Sequence, residues 1–388
     1  MLRLGFLPCA IFLLAACGPA RAQEAPAFAL KDCAELEAEH PPGEAAAMCR
    51  LPVEDISEEA AAAHLGAGDF TVLAEESLGV LTILQRAPGE AQNLCCSLRA
   101  PLQRIGASDL WAARFRLERL PEAMLLFATP SGDFVPWRGS RAPAPLPENE
   151  TLLGKLEERE LPSTALGETR RFTVYTPPGF DPKHRRPVII VADGFNPKPL
   201  DALMAAGRIA PVIMVALYSG QNGIKERRSD LRGDIRGLDY LPDFGGAENR
   251  FDAHLRFVAD ELLPWLQRDY GASAAPGDIA VAGFSNGAVF ALHAALRRPD
   301  RFGHAFVMSP GWPRRPAEPR EGPRARFLLS GGLYEPLFRR SARTSYEILR
   351  AAGYEVGWTE LAAGHMLDQE NHVLARRLQE TFPAARAE

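Results

Sequence analysis

From about residue 170 the chain alternates between short apolar runs and longer stretches with three- and four-residue apolar spacing. The runs are Val188 to Ala192, Val212 to Leu217, Ile279 to Ala282, Ala305 to Met308 and Phe327 to Leu329, with a further strand at Arg171 to Tyr175. Runs of this length fit strands buried on both faces of a mostly parallel sheet. Between them, Phe251, Leu255, Val258, Leu262 and Leu266 make one apolar helical stripe, which Asn249 can cap. Residues 337–351 and 367–382 read as further helices. The alternation predicts a three-layer α/β domain.

Residues 70–137 carry the other period. Trp111, Ala113, Phe115 and Leu117 fall on one face of a strand, with Arg114 and Arg116 on the opposite face. Further strands are expected at Gly79 to Leu84 and Met124 to Ala128, which together suggest a small β-sandwich of the Ig-like kind. Its neighbours place Trp111 in the core, whereas Trp137 sits in an expected loop with its role open. Residues 31–66, rich in Ala and Glu, read as helical or loosely ordered. The proline-dense stretch from Arg141 to Pro147 is a linker. The expected division is a targeting segment at 1–22, an N-terminal domain at 23–148 and a catalytic domain at 149–388.

A total of 388 residues accommodates two domains, and a net charge of −5 gives no reason to expect nucleic acid as a partner. Arg3 followed by the apolar run Leu4 to Ala16 has the form of an export signal, too short for a stable bilayer anchor. Leu14-Ala15-Ala16-Cys17 resembles a bacterial lipobox, in which Cys17 becomes the lipidated first residue and attaches the chain to a membrane. The competing reading is cleavage after Ala20-Arg21-Ala22, which releases a soluble protein. Either way the chain is exported. Cys33, Cys49, Cys95 and Cys96 then meet an oxidising compartment, where disulfides are expected and three pairings are open. No zinc spacing is present in this set, and no cofactor is called for.

The chemistry centres on Gly283-Phe284-Ser285-Asn286-Gly287, which lies between the strand at Ile279 and a helix from Ala288 to Arg297. A sharp strand-to-helix turn lifts the serine hydroxyl clear of the sheet and needs small residues beside it. Serine requires a base, and the base requires an orienting acid. In this fold the chain order is serine, acid, histidine. His365, in the small-residue loop Ala362-Ala363-Gly364-His365, is the candidate base. His293 lies along the helix that begins at the serine, His304 precedes a buried strand, and His372 lies in the last helix with a surface position expected. Glu335 follows the strand at Phe327 and is the candidate acid. Asp368 lies too near His365 in the chain to orient it easily. The plain alternative is that Glu335 is a solvated loop carboxylate.

These residues resemble the enterochelin esterase family and its relatives among the α/β-hydrolases, the esterase D, feruloyl esterase and antigen 85 group. The matching stretches include Val191-Ala192-Asp193-Gly194-Phe195, Arg236-Gly237-Leu238-Asp239-Tyr240-Leu241-Pro242, Glu261 to Trp265, the serine turn, Arg298 to Gly303, Gly332 to Pro336 and Gly364-His365. Leu102 to Trp111 also looks like the N-terminal sandwich of enterochelin esterases, which favours the siderophore branch. The resemblance implies an oxyanion hole formed by the backbone N–H groups of Phe195 and Asn286. It also implies that Arg236, Asp239 and Tyr240 lie near the site with a structural or substrate role. Two departures are Met366 after the histidine, where relatives often carry an acid, and Glu rather than Asp at 335.

The substrate expected is a small-molecule ester of the siderophore type, with polysaccharide acyl esters as the alternative. Lys225, Arg227, Arg228, Arg232 and Arg236 could hold an anionic substrate, yet Glu226, Asp230 and Asp234 are interleaved, so a self-paired loop is an equal reading. An inert exported ligand-binding protein and an acyltransferase are the other classes. The complete Ser, Glu, His order argues against the first, and sequence does not separate the second from hydrolysis.

Overall fold

The computed structural model of the chain describes residues 30–39, 47–89, 93–94, 97–220, 235–311 and 323–384. They form two compact units. One comprises the chain up to Ala144 together with Gly332–Glu335 and Leu361–Gln369; the other comprises Pro145–Gly331, Pro336–Glu360 and the chain from Glu370.

The second unit is built on an eight-stranded sheet in the order Lys155–Ser163, Glu168–Thr176, Ile213–Leu217, Val188–Ala192, Ile279–Ser285, His304–Pro310, Arg326–Gly332 and Val356–Leu361. The first two strands and the pairing of the second with the third are antiparallel. The next four pairings are parallel. All ten residues of Val188–Ala192 and Ile213–Leu217 are buried, as expected for strands covered on both faces. The stripe Phe251, Leu255, Val258, Leu262 and Leu266 packs with Phe172, Val215, Phe290 and Leu329 in one core. Its helix is interrupted by a wider, π-helical turn at Phe257–Leu262. Pro264, just beyond, has no N–H to give to a helical ladder. Arg250 occupies the N-cap position, and Asn249, expected there, lies one residue earlier with its Oδ1 accepting from the Phe251 N–H at 3.1 Å.

The sequence reading assigns no strand to Lys155–Ser163, because an edge strand with a solvated face carries no apolar run. Its Leu156 is 45% exposed, and Glu157 pairs with Lys155 and Arg159.

The first unit holds a sheet in the order Met48–Leu51, Leu110–Leu117, Val80–Arg86, Phe70–Glu75, with Gln103–Arg104 also pairing with the second of these strands. Trp111, Ala113, Phe115 and Leu117 pack in one core with Leu125 and Phe127 of the hairpin Met124–Ala128/Phe134–Arg138. Trp111 Nε1 donates to the Ala87 carbonyl at 3.0 Å, and Trp137 lies partly buried against the same core. On the opposite face Leu110 and Ala112 meet Ala61 and Leu65 of the helix Glu58–Leu65, so that face is not solvated as the alternation suggested. The stretch read as helical or loose therefore contains two short helices and a paired strand, Met48–Leu51. Cys33 and Cys49 form a disulfide that ties the helix Cys33–Glu39 to this strand. Cys95 and Cys96 lie outside the described residues, as do the targeting segment with Cys17 and the basic residues at 225–232.

Candidate active site

Ser285 ends the strand Ile279–Ser285 and precedes the helix Asn286–Arg297. Its backbone has φ 58° and ψ −122°, a region that costs a non-glycine residue about 1–3 kcal/mol. The neighbouring glycines explain how the turn closes. A Cβ on Gly283 would stand 2.2 Å from the Gly287 carbonyl carbon, and one on Gly287 would stand 3.0 Å from Ala192 Cβ. The turn therefore admits no side chain at 283. The Asn286 N–H then lies at a helix N-terminus, among the amides without an intrahelical partner.

A second turn follows the strand Val188–Ala192. Asp193 adopts φ 68° and Gly194 φ 92°. The Asp193 N–H donates to the Leu217 carbonyl at 2.8 Å, and the Gly194 N–H donates to the Val191 carbonyl at 3.2 Å. Phe195 follows this turn and is buried, and Asn196 caps the helix Pro197–Ala205 through the Lys198 N–H.

Arg236 joins the two turns. Its Nε donates to Asp193 Oδ2 at 2.7 Å and a terminal nitrogen donates to the Phe284 carbonyl at 3.3 Å. The short helix Ile235–Tyr240 that carries it is anchored one turn later by Asp239. Both terminal nitrogens of Arg170 donate to Asp239 Oδ2 at 2.9 Å, and the Gly220 N–H does so at 3.0 Å. Arg250 lies 3.1 Å from Asp239 Oδ1. Tyr240 donates to the Leu217 carbonyl at 3.2 Å. Asp239 and Tyr240 are fully buried, in keeping with the structural one of the two roles open to them in the sequence. They fix the helix through the hydrogen bonds to Asp239 Oδ2 and from the Tyr240 hydroxyl, with the Arg250 ion pair on Oδ1. Arg236 is partly exposed and engaged with the turns.

Two buried groups near this network have displaced proton affinities. Glu370 is pushed up to about 8 by burial; Asp193 adds to the rise and Arg236 opposes it. His254 is pushed down to about 3, also by burial, while Asp239 pulls the other way.

The expected base and acid lie in the first unit. His365 Nδ1 is 2.5 Å from Glu335 Oε2. Glu335 is buried, and its Oε1 accepts from the Gly332 N–H at 2.5 Å and from Gln369 Nε2 at 3.0 Å. It is thus not a solvated loop carboxylate. The two donors on Oε1 and the imidazole beside Oε2 together fix the plane of the carboxylate. His365 keeps 18% of its side chain exposed. Of the other histidines, His293 is buried in its helix, His304 lies 2.9 Å from the Gly277 carbonyl, and His372 is half-buried rather than at the surface. Among the described residues no group of three His, Cys, Asp or Glu side chains is placed to hold a metal ion.

Sequence reasoning used Asp193 only for its turn and missed its carboxylate. It also missed Gln369 and Arg170. Gln369 carries no local signal. Arg170 did carry one: period-two alternation puts it on the inward face with Phe172 and Val174, where an arginine needs partners.

The family model described as "Putative esterase" matches residues 163–376. The iron(III) enterobactin esterase of Dickeya dadantii is 27% identical over 304 residues, 70% of this chain and 61% of its own length. YjcH of Bacillus subtilis is 27% identical over 164 residues, 40% of this chain and 62% of its own. The chain thus spans about three fifths of the length of these two relatives. The solved ferric enterobactin esterase of Salmonella typhimurium superposes with a TM-score of 0.58 at 19% identity, covering 81% of this chain and 96% of the other. The enterochelin esterase of Shigella flexneri gives 0.56 at 18% identity, covering 80% and 94%. These likenesses show an α/β-hydrolase-like fold. With the family match covering more than half of its length, the chain belongs to the esterase family and resembles its enterochelin esterases.

Proposed function

We propose that the chain is a serine carboxylic-ester hydrolase that works through an acyl-enzyme at Ser285. The observation that carries this reading is the strained backbone of Ser285 in a glycine-walled turn between strand and helix. Such strain is retained where the surrounding structure pays for function. The bond between Glu335 and His365 supports it further.

In this reading Ser285 Oγ attacks the ester carbonyl as His365 takes its proton. Glu335 holds the imidazole in the tautomer with hydrogen on Nδ1 and stabilises the imidazolium. The carbonyl oxygen becomes an oxyanion facing the N–H groups of Phe195 and Asn286, each donor worth roughly 3 kcal/mol in the transition state. Collapse expels the alcohol, which takes the proton from His365. Water then repeats the sequence and releases the acid.

The substrate in this reading is a small-molecule ester of the siderophore type. The Dickeya dadantii enterobactin esterase aligns over 304 residues, more than the catalytic region matched by the family. The match therefore takes in part of the N-terminal unit, which we read as an Ig-like sandwich. An acyl ester of a polysaccharide is the second reading, favoured by a 24% identity to the endo-1,4-beta-xylanase/feruloyl esterase of Xylanibacter ruminicola over 221 residues. Export, with lipid at Cys17 holding the chain at the periplasmic face of the outer membrane, follows from the N-terminal sequence, and the Cys33–Cys49 disulfide suits it. Mass analysis of the mature N-terminal peptide reads that directly.

The test is Ser285→Ala. It should abolish labelling by a fluorophosphonate and cut turnover by about 10³-fold or more, with substrate affinity kept. Activity within tenfold of the wild type removes the serine mechanism. A panel of nitrophenyl, feruloyl and acetyl-sugar esters and a trilactone siderophore, with and without iron, then ranks the substrates.

A further inference from the structure

Met366, the departure that follows His365, is fully enclosed, and its surroundings show what replaces an acid there. Ser97 Oγ donates to Met366 Sδ at 2.9 Å and accepts from the Leu126 N–H at 2.8 Å. The Ser97 N–H in turn donates to the Leu126 carbonyl at 3.0 Å. Ser97 thus links the residue after His365 to the strand Met124–Ala128.

The residues before His365 are tied to the same strand. The Met124 N–H donates to the Ala362 carbonyl at 2.8 Å, and Met124 forms a parallel bridge with Ala363. Gly364 passes so close to Ser97 that a Cβ on it would stand 2.0 Å from the Ser97 carbonyl oxygen. Ala363 is also bound on its other side, its carbonyl accepting from the Tyr334 N–H at 3.0 Å. Tyr334, next to Glu335, donates its hydroxyl to the Glu118 carbonyl at 2.8 Å. The backbone before His365 and the Met366 side chain after it are therefore held by residues more than 200 positions earlier, while the imidazole keeps its exposed edge.

We infer that Ser97 and the strand Met124–Ala128 are positioning elements for the base, so that the N-terminal sheet region contributes to the rate of the chemical step. The inference rests on the reading of His365 as general base. Its physical reason is geometric. A base acts only within hydrogen-bond reach of its proton, and a misplacement of about 1 Å can cost on the order of 100-fold. A loop of small residues such as Ala362-Ala363-Gly364 has no side chains to hold itself. Its order must come from what it packs on.

The experiment compares full-length His365→Ala, Gly364→Ala, Ser97→Ala and Ser97→Thr with the wild type. Turnover and KM are measured on a nitrophenyl ester, active sites are counted by fluorophosphonate, and melting is recorded. Gly364→Ala should lower kcat per active site by about tenfold or more, with KM within about threefold. Ser97→Ala should lower it by about three- to thirtyfold. Ser97→Thr, which keeps a hydroxyl, should recover most of that loss. A merely structural role lowers melting and yield but leaves kcat per active site unchanged. If His365→Ala is inactive while Ser97→Ala and Gly364→Ala both stay within twofold, the positioning role is overturned and the base reading stands. If His365→Ala keeps its activity, the base reading itself fails and the inference falls with it.

Discussion

Arg236 grips Asp193 through its Nε, 2.7 Å from Oδ2, and the same guanidinium reaches the Phe284 carbonyl. One planar cation thus spans the turn that presents Phe195 and the turn that presents Ser285. Asp193 is a non-glycine residue in left-handed backbone, so something must hold it there, and its carboxylate is the handle.

Arg236→Lys should therefore lower kcat by about 10- to 100-fold with a smaller change in KM, because an ammonium cannot serve both turns in one plane. Asp193→Asn should do similar damage. The double variant should be little worse than either single one, since the two residues act as a unit. Steady-state kinetics on the four proteins check this. Fully additive losses mean that the two side chains act separately.

Glu335→Gln should reduce turnover by about 10²- to 10⁴-fold, because an amide can hold His365 in the wrong tautomer. Gln369→Leu removes a side-chain donor to Glu335 and should cost about three- to thirtyfold. Asp368→Asn is the control and should be nearly silent. A large loss at 368 with none at 335 moves the acid to Asp368.

Burial sets opposite pH limits at two sites. Glu370 has a folded value near 8, above its ordinary carboxylate range. It contributes stability that is fully present at acid pH and is lost as pH rises through about 8. His254, held near 3, stays neutral when folded and charges only when unfolded. Stability is therefore lost as pH falls below the ordinary imidazole range toward 3. Melting of Glu370→Gln should exceed that of the wild type most at pH 9. Melting of His254→Phe should hold up better than the wild type at pH 5 relative to pH 8. Parallel pH profiles for variant and wild type contradict these assignments.

Much of the catalytic domain was legible because its signals are local. A buried parallel strand is a short apolar run, an amphipathic helix is a stripe, and the serine turn is five residues whose glycines leave no room for a Cβ. These needed no knowledge of distant partners. The edge strand Lys155–Ser163 escaped because its alternating charges read as solvated surface, and only its pairing with Glu168–Thr176 makes it a strand. Asp239 and Tyr240 stood out in the sequence with a structural and a substrate role both open. A polar motif marks a constraint, but whether its side chains face solvent or a buried arginine depends on the neighbouring strand.

The sequence by itself determined the layered α/β architecture and the serine turn, since each is written in residues a few positions apart, and it offered Glu335 and His365 by their places after the strands that precede them. Tertiary structure decided what holds these groups. It paired Cys33 with Cys49, set Gln369 on Glu335, laid Arg236 across two turns and tied the His365 loop to Ser97 and Met124. The physical reason is that a hydrogen bond or ion pair acts within about 3–4 Å in space, whatever the distance along the chain.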